Sequence, residues 1–211
     1  MAQAGELHRI VRGLVLCDLD LGAGVGPGAG GADGAGAGST ASGSETDTRS
    51  TVVTVGCTHL DHISIDQRRT QLSHMAEIMA AAGGHPSLVA GDLNTLTRAD
   101  YSEAQWAKLE RRAQANGWRG PEGGGLEILE HAGFTDCYGD VTPGAEGAAS
   151  QFTAPVDDPQ YRIDYCLADA GMLRSLRITS AEVQTSIECS DHFPVLFTFE
   201  PKDSGGARSA L

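Results

Sequence analysis

Residues 88–94 read Leu-Val-Ala-Gly-Asp-Leu-Asn, an apolar run that ends in a glycine and two polar residues. A short apolar run bounded by turn residues predicts a buried strand, and Gly91 allows a sharp turn where that strand leaves the sheet. Asp92 and Asn94 then lie at the carboxyl end of the strand, on the same side of an extended chain. Ligands bind at that edge of open α/β sheets, so the two side chains are candidates for activating water or holding a substrate oxygen. The same residues are also typical of an ordinary turn.

Length and composition restrict the class of protein. A chain of 211 residues predicts one domain. With 28 acidic and 15 basic residues the net charge is −13, which argues against extensive binding to duplex DNA but is compatible with a bound divalent cation. The five cysteines form no Cys-x-x-Cys pair, which favours a reducing, intracellular setting. No apolar run approaches the length of a membrane span, so we expect a soluble protein.

The first quarter of the chain divides into two predicted strands and an insertion. Leu7–Leu16 and Thr51–Val55 are rich in large apolar or β-branched residues and predict strands that pair as a hairpin. Residues 22–50 consist mainly of Gly, Ala, Ser and Thr, which cannot bury enough surface to offset ordering, so we expect a disordered insertion. The domain is therefore predicted to comprise residues 1–21 and 51–201, with a flexible tail at 202–211.

The rest of the chain alternates between helical and strand patterns. Apolar residues at helical spacing predict a helix over 65–82, with Ile65, Leu72, Met75 and Met79 on its buried face. Asp100 and Glu103 match a capping box at the start of a second helix, which is expected to run to Asn116. We also predict a short helix at 126–132 and strands at 161–167, 178–185 and 195–199. This order indicates an α/β or α+β domain.

Polar clusters lie at or near the predicted strand ends. Asp164 is the most informative residue, because it lies between Ile163 and Tyr165 in a strand-like run, where a buried carboxylate needs a partner. His192 is the best candidate, since an Asp fixes the tautomer of a catalytic imidazole; a nearby arginine in a structural ion pair is the alternative. Asp191 is expected to point elsewhere and to face a cation.

The histidines also have plainer interpretations. His59 is a candidate for the site but also fits a hydrogen-bonded residue at a strand end. Four further histidines are expected to be surface or capping residues; they are His62, His74, His85 and His131.

Four motifs follow one another in an order that resembles a known family. They are Thr-His-Leu at 58–60 with Arg68 and Gln71 on the following helix, Gly-Asp-x-Asn at 91–94, Arg-Ile-Asp-Tyr at 162–165, and Ser-Asp-His-x-Pro-Val at 190–195. The set resembles the endonuclease/exonuclease/phosphatase superfamily, whose fold is the four-layer α/β sandwich of deoxyribonuclease I. The resemblance runs from about residue 52 to residue 199, and the strand at 7–16 fits as the preceding one.

The resemblance implies hydrolysis of a phosphate ester with Mg²⁺ or Mn²⁺, by a phosphodiesterase, nuclease or phosphatase. It implies that Asp92 orients or deprotonates the attacking water and that Asn94 positions this water or a phosphate oxygen. It further implies that His192, oriented by Asp164, contacts the scissile phosphate. It also implies that His59 donates to the phosphate, that Asp191 binds the metal, and that Arg68 and Gln71 support the site. The substrate class stays open among DNA, RNA, phospholipid, inositol phosphate and nucleotide.

The chain departs from the family pattern at its beginning. The family starts with a strand that carries an Asn, followed by a helix and a strand that carries the principal metal-binding Glu, and neither has a counterpart here. We therefore expect a partial sandwich with the N-terminal half missing, and weak catalysis by this chain alone. The alternative to an enzyme is an inactive, truncated remnant that serves as a binding or scaffold module.

Overall fold

A computed structural model describes residues 14–21, 52–82, 85–139 and 151–202. The predicted insertion at 22–50, the tail beyond Lys202 and the first part of the predicted strand at 7–16 lie outside these residues. The domain boundaries therefore stay a prediction. In the part of the chain that is described, no helix is long and apolar enough to cross a membrane.

The described residues form seven strands and four helices, with a 3₁₀ turn at Arg98–Asp100. The strands are β1 (Leu14–Asp20), β2 (Val52–His59), β3 (Ser87–Asp92), β4 (Phe134–Asp136), β5 (Asp164–Asp169), β6 (Leu176–Val183) and β7 (Val195–Pro201). The helices are α1 (Ile65–Ala81), α2 (Glu103–Ala115), α3 (Leu126–His131) and α4 (Ala170–Ser175). The predicted α/β class is confirmed.

Five of the strands form one mixed sheet in the order β1-β2-β3-β5-β4. The predicted pairing of the first two strands is confirmed, since β1 and β2 are antiparallel neighbours. Strands β2 and β3 are parallel and are connected through α1, as the long crossover of a parallel pair requires. Strands β3 and β5 are antiparallel, so the end of β3 lies beside the start of β5.

The predicted apolar face of α1 is buried against the sheet. Leu72, Met75 and Met79 pack with Val89 and Leu167, one residue each from β3 and β5. The side chains of Ser64 and Asp61 accept hydrogen bonds from backbone N–H groups at the start of this helix, which satisfies donors that have no partner within the helix. Helix α3 joins the same cluster through Leu126 and Leu129.

The opposite face of the sheet is covered by the two-stranded sheet of β6 and β7. Leu88, Cys166 and Ala168 point to this side, where Phe197 and Phe199 pack against them. The alternation of neighbouring residues between the two faces is the period of a strand. The described residues thus supply three successive layers of a sandwich: helices α1 and α3, the five-stranded sheet, and the β6–β7 sheet.

Several predicted boundaries are wrong, and tertiary contacts explain two of them. The capping box of α2 consists of Ser102 and Gln105, because the Asp100 carboxylate pairs instead with Arg162. Strand β5 starts at Asp164 and not at 161, because Tyr161 turns back to hydrogen bond with Ala154. Strand β1 continues to Asp20, past the predicted end at residue 16. The short elements β4 and α4 were not predicted.

Candidate active site

Three neighbouring strands bring polar side chains to one edge of the sheet. His59 is the last residue of β2, Asp92 the last residue of β3 and Asp164 the first residue of β5. The pairing places His59 directly opposite Asp92, and Asp92 directly opposite Asp164. Residues far apart in sequence therefore form one row across the sheet.

Gly91 makes this close pairing possible, for a reason that differs from the predicted turn. It lies within β3, with a φ of 137°. A Cβ atom at this position would lie 1.9 Å from the backbone oxygen of Thr58 in the neighbouring strand. Only glycine allows this approach without displacing the backbone, so Gly91 keeps the ends of β2 and β3 adjacent.

The predicted partner of Asp164 is present. Asp164 Oδ2 lies 2.9 Å from His192 Nδ1, while the alternative partner, Arg162, is bound to Asp100 and Asp136. Asp164 is only half-buried, with 22% of its side chain exposed, against 27% for His192. The backbone N–H of Phe193 donates to the Thr153 oxygen, and the N–H of Val156 donates to the Asp191 oxygen, so both sides of His192 are held. The carboxylate thus holds the imidazole ring at its Nδ1 atom, as we predicted.

Asp92 is the most buried carboxylate of the row, with 11% of its side chain exposed. Its Oδ1 accepts the backbone N–H of Asn94 at 2.8 Å, and its Oδ2 lies 3.2 Å from His59 Nε2. Burial raises the pKa of Asp92, and the neighbouring Asp164 raises it further, although the Asn94 N–H and the two histidines oppose this. A carboxylate with a raised pKa is a better proton acceptor than an exposed one.

Asn94 adopts an uncommon backbone conformation at the mouth of the site. Its φ is 47°, a left-handed value that asparagine tolerates better than most residues. Its side-chain amide nitrogen donates to the backbone oxygen of Leu60 at 3.1 Å. This hydrogen bond fixes the orientation of the amide, and the side-chain oxygen stays available to a ligand.

Arg68 and Gln71 form hydrogen bonds with the backbone of the loop after β2. Arg68 Nη1 donates to the Asp61 backbone oxygen at 3.1 Å, and Gln71 Oε1 accepts the Asp61 N–H at 2.9 Å. Burial lowers the pKa of Arg68, against the opposing effect of Asp61. Both side chains lie on α1, so the helix determines where the loop between His59 and His62 runs.

These residues surround a cleft of about 590 Å³. It is lined by His59, His62, Asp92, Asn94, Asp164, Ser190, Asp191 and His192. The lining from the described part of the chain thus contains three carboxylates and no lysine or arginine. His62 and Ser190 were not predicted for the site, although His62 lies two residues beyond the Thr-His-Leu motif at 58–60.

The donor set of the cleft fits a hard divalent cation, which prefers carboxylate and amide oxygens. Donor atoms of Asp92, Asp164 and His192 all lie within 4.8 Å of one another. The His192 ring, however, already binds Asp164, so we regard these two as an Asp–His pair and not as joint ligands. Asp191 is exposed at the cleft, and among the described residues it takes part in no ion pair. It is therefore the carboxylate that is freest to meet a cation.

The sequence matches a known family over most of its length. The sequence model of the Endonuclease/Exonuclease/phosphatase family matches residues 7–192. No curated protein matches the chain significantly.

Solved structures with a similar fold come from several organisms. A 3′-5′ exonuclease (NExo) from Neisseria meningitidis has a TM-score of 0.50 at 17% identity, over 70% of this chain and 61% of that protein. The mannosyl-6-phosphatase Bt3783 of Bacteroides thetaiotaomicron has a TM-score of 0.46 at 16% identity, over 71% and 51%. The catalytic domain of Xenopus laevis APE2 has a TM-score of 0.47 at 18% identity, over 73% and 52%. The chain thus spans about half the length of the solved structures that it resembles.

Proposed function

The chain belongs to the endonuclease/exonuclease/phosphatase family, and we propose that its cleft belongs to a phosphoric ester hydrolase that depends on Mg²⁺ or Mn²⁺. The activity is that of the complete domain, acting as a phosphodiesterase, nuclease or phosphatase. Asp92, Asn94, Asp164, His192 and His59 carry the chemistry.

One observation carries this proposal. Three carboxylates, one of which is paired with His192, share a cleft whose described lining has no lysine or arginine. A phosphate group is anionic and is repelled by carboxylates unless a cation neutralises them. Phosphoryl transfer depends on neutralising the charge that develops on the phosphate oxygens. A divalent cation supplies that charge when it is bound, and Asp191 is the residue that we assign to hold it.

The chain's own residues supply proton transfer and positioning. Asp92, with its raised pKa, orients the attacking water and accepts its proton. The Asn94 amide oxygen positions the same water or a phosphate oxygen. Asp164 holds the His192 ring through Nδ1, so its Nε2 faces the phosphate and assists proton transfer. His59, 57% exposed beside Asp92, donates to the phosphate, while Arg68 and Gln71 hold the loop that follows it.

Charge and cysteine content support two further parts of the proposal. A net charge of −13 disfavours extensive contact with duplex DNA, so we propose a smaller or single-stranded phosphate ester as substrate. All five cysteines are unpaired, and Cys17, Cys57 and Cys189 are exposed. Free exposed thiols fit a reducing, intracellular compartment.

The test is an assay of the purified chain on bis(p-nitrophenyl) phosphate and p-nitrophenyl phosphate, with Mg²⁺, with Mn²⁺ and with EDTA. The variants are Asp92→Asn and, as a matched control, Asp157→Asn, which removes an exposed carboxylate outside the cleft. We expect weak metal-dependent turnover that Asp92→Asn lowers by about 100-fold or more and that the control leaves unchanged.

Two results would count against the proposal. Turnover that persists in EDTA would exclude the metal-dependent mechanism, and turnover that Asp92→Asn leaves intact would exclude Asp92 from it. If the folded chain shows no turnover under any of these conditions, the alternative of a non-catalytic binding or scaffold module is favoured.

A further inference from the structure

A second pocket, of about 280 Å³, opens beside the catalytic cleft. It shares His62 and Asn94 with the cleft, so the two spaces are adjacent. The rest of its lining is Arg68, Leu96, Trp118, Gly120, Pro121, Glu122, Tyr161 and Ile163. None of the three cleft carboxylates lines it, and Asn94 lies at the boundary between the two spaces.

The wall of the pocket is a loop that the protein holds in place. The loop follows α2, and the Trp118 N–H donates to the backbone oxygen of Ala113 within that helix. Farther along, Gly123 forms a bridge with Leu96, just beyond the end of β3. A Cβ atom on Gly125 would lie 2.3 Å from the Thr95 side-chain oxygen, so the loop approaches this segment closely. These contacts make the pocket a built feature and not an accidental gap.

Five side chains of the lining are aromatic or apolar, those of Leu96, Trp118, Pro121, Tyr161 and Ile163. Trp118 is 58% exposed, although tryptophan normally gains by burying its ring. Tyr161 and Ile163 line the pocket with it. A large exposed ring beside a polar cleft indicates a surface that a ligand covers.

The pocket also has four polar side chains, those of His62, Arg68, Asn94 and Glu122, and two of them are complementary. Arg68 provides hydrogen-bond donors and Glu122 provides acceptors, and Arg68 is already oriented by its hydrogen bond to the Asp61 backbone. A sugar ring needs polar partners for many hydroxyl groups, whereas a planar heteroaromatic ring presents two apolar faces and a few donors and acceptors on its edge. The lining therefore matches a planar heteroaromatic ring better than a sugar ring.

We propose that this pocket is a subsite for a nucleobase, stacked on Trp118, in the organic group of the phosphate ester. The inference rests on the proposed function only in placing the ester bond in the adjoining cleft. Stacking on an aromatic side chain tolerates every base because each has a π-face. The substrate class is then a nucleotide or a short single-stranded nucleic acid.

A binding experiment tests the subsite without relying on catalysis. The chain has two tryptophans, so Trp106→Phe leaves Trp118 as the only one. In this variant, with EDTA present, adenosine should change the fluorescence excited at 295 nm in a saturable way, and glucose should not. Trp118→Leu, which keeps Trp106, is the matched control and should show no saturable change. A response that is absent, linear, or equal for glucose would overturn the proposal.

A kinetic experiment separates this proposal from the proposed function. Trp118→Leu should raise KM for an adenosine phosphodiester by about fivefold to a hundredfold, with kcat and the KM for glycerol phosphate unchanged. Leu196→Ala, which shortens an exposed side chain on β7, is the control. Equal effects of Trp118→Leu on both substrates would contradict the subsite. Saturable adenosine binding in a chain that hydrolyses nothing would support the subsite and contradict the proposed function.

Discussion

Arg162 and Asp164 are two residues apart in sequence, yet their surroundings differ in burial and in charge balance. Arg162 is 2% exposed and binds two carboxylates, those of Asp100 and Asp136. Its guanidinium also lies 4.5 Å from the ring centre of Tyr165. Asp164 is partly exposed and shares the cleft with Asp92 and Asp191, and the described lining of the cleft contains histidines but no lysine or arginine.

The difference distinguishes the charge cluster around Arg162, which is part of the structure of the fold, from the carboxylates of the cleft, which belong to the candidate active site. Burial alone would lower the pKa of Arg162, but Asp136 and Asp100 raise it overall, so the guanidinium stays charged and the cluster is satisfied internally. In the cleft, burial and Asp164 together raise the pKa of Asp92. Burial also raises the pKa of Asp100, but Asp100 has the Arg162 guanidinium beside it, whereas the described lining of the cleft contains no lysine or arginine. Charges that the fold leaves unbalanced are the ones available to a ligand.

The largest expected effect comes from breaking the balanced cluster. Arg162→Met leaves two largely buried carboxylates without their cation, and we expect it to lower the free energy of unfolding by about 3–5 kcal/mol. Urea unfolding measures this change. Arg177→Met, which breaks an exposed ion pair with Glu200, is the control and should cost less than about 1 kcal/mol. Similar losses in the two variants would remove the distinction between buried and exposed clusters.

The second prediction concerns the Asp–His pair. Asp164→Asn keeps the shape of the side chain but removes the charge that holds His192, so turnover should fall by about 100-fold or more. The free energy of unfolding should change by less than about 1 kcal/mol, because both side chains are partly exposed. Turnover and urea unfolding, both measured on this variant, compare its effect on activity with its effect on stability. A stability loss as large as that of Arg162→Met would show that the pair is structural.

The smallest expected effect is a gain in stability. A raised pKa means that folding favours the protonated form of Asp92. The stability that protonation of Asp92 contributes is complete below the unfolded pKa of 3.8 and is lost as the pH rises through the folded pKa. At pH 7 the charged Asp92 opposes folding. Asp92→Asn should therefore unfold at higher urea than the unmodified chain at pH 7, by on the order of 1 kcal/mol, and show no such advantage at pH 3. If Asp92→Asn stabilised the chain equally at pH 3 and pH 7, the charge of Asp92 would not be the cause.

Sequence patterns predicted those parts of the molecule that depend on neighbouring residues. The spacing of Leu72, Met75 and Met79 predicted α1 to within one residue at its end, because helix periodicity is a local property. The requirement that Asp164 have a partner predicted the contact with His192, because an unpaired half-buried carboxylate is costly whatever the fold.

Features that depend on distant residues were not predictable in this way. Asp100 and Ser102 both fit the start of a capped helix, and only the position of Arg162 decides between them. Gly91 resembles a turn residue until the backbone of Thr58 is seen beside it. Trp118 carried no motif at all, because its meaning depends on a pocket formed by segments around Arg68, Leu96 and Tyr161.

The row formed by His59, Asp92 and Asp164 has a consequence for misfolding. Side chains alternate between the faces of a strand, so a slip of β3 by one residue would turn Asp92 away from both neighbours. Such a slipped chain would keep its composition, its helices and much of its compactness, and spectroscopic measures of secondary structure would miss the error. The metal-dependent turnover that we propose would detect it, since that activity would require three strands to be aligned at once. Under this proposal, specific activity per folded molecule is a measure of correct assembly.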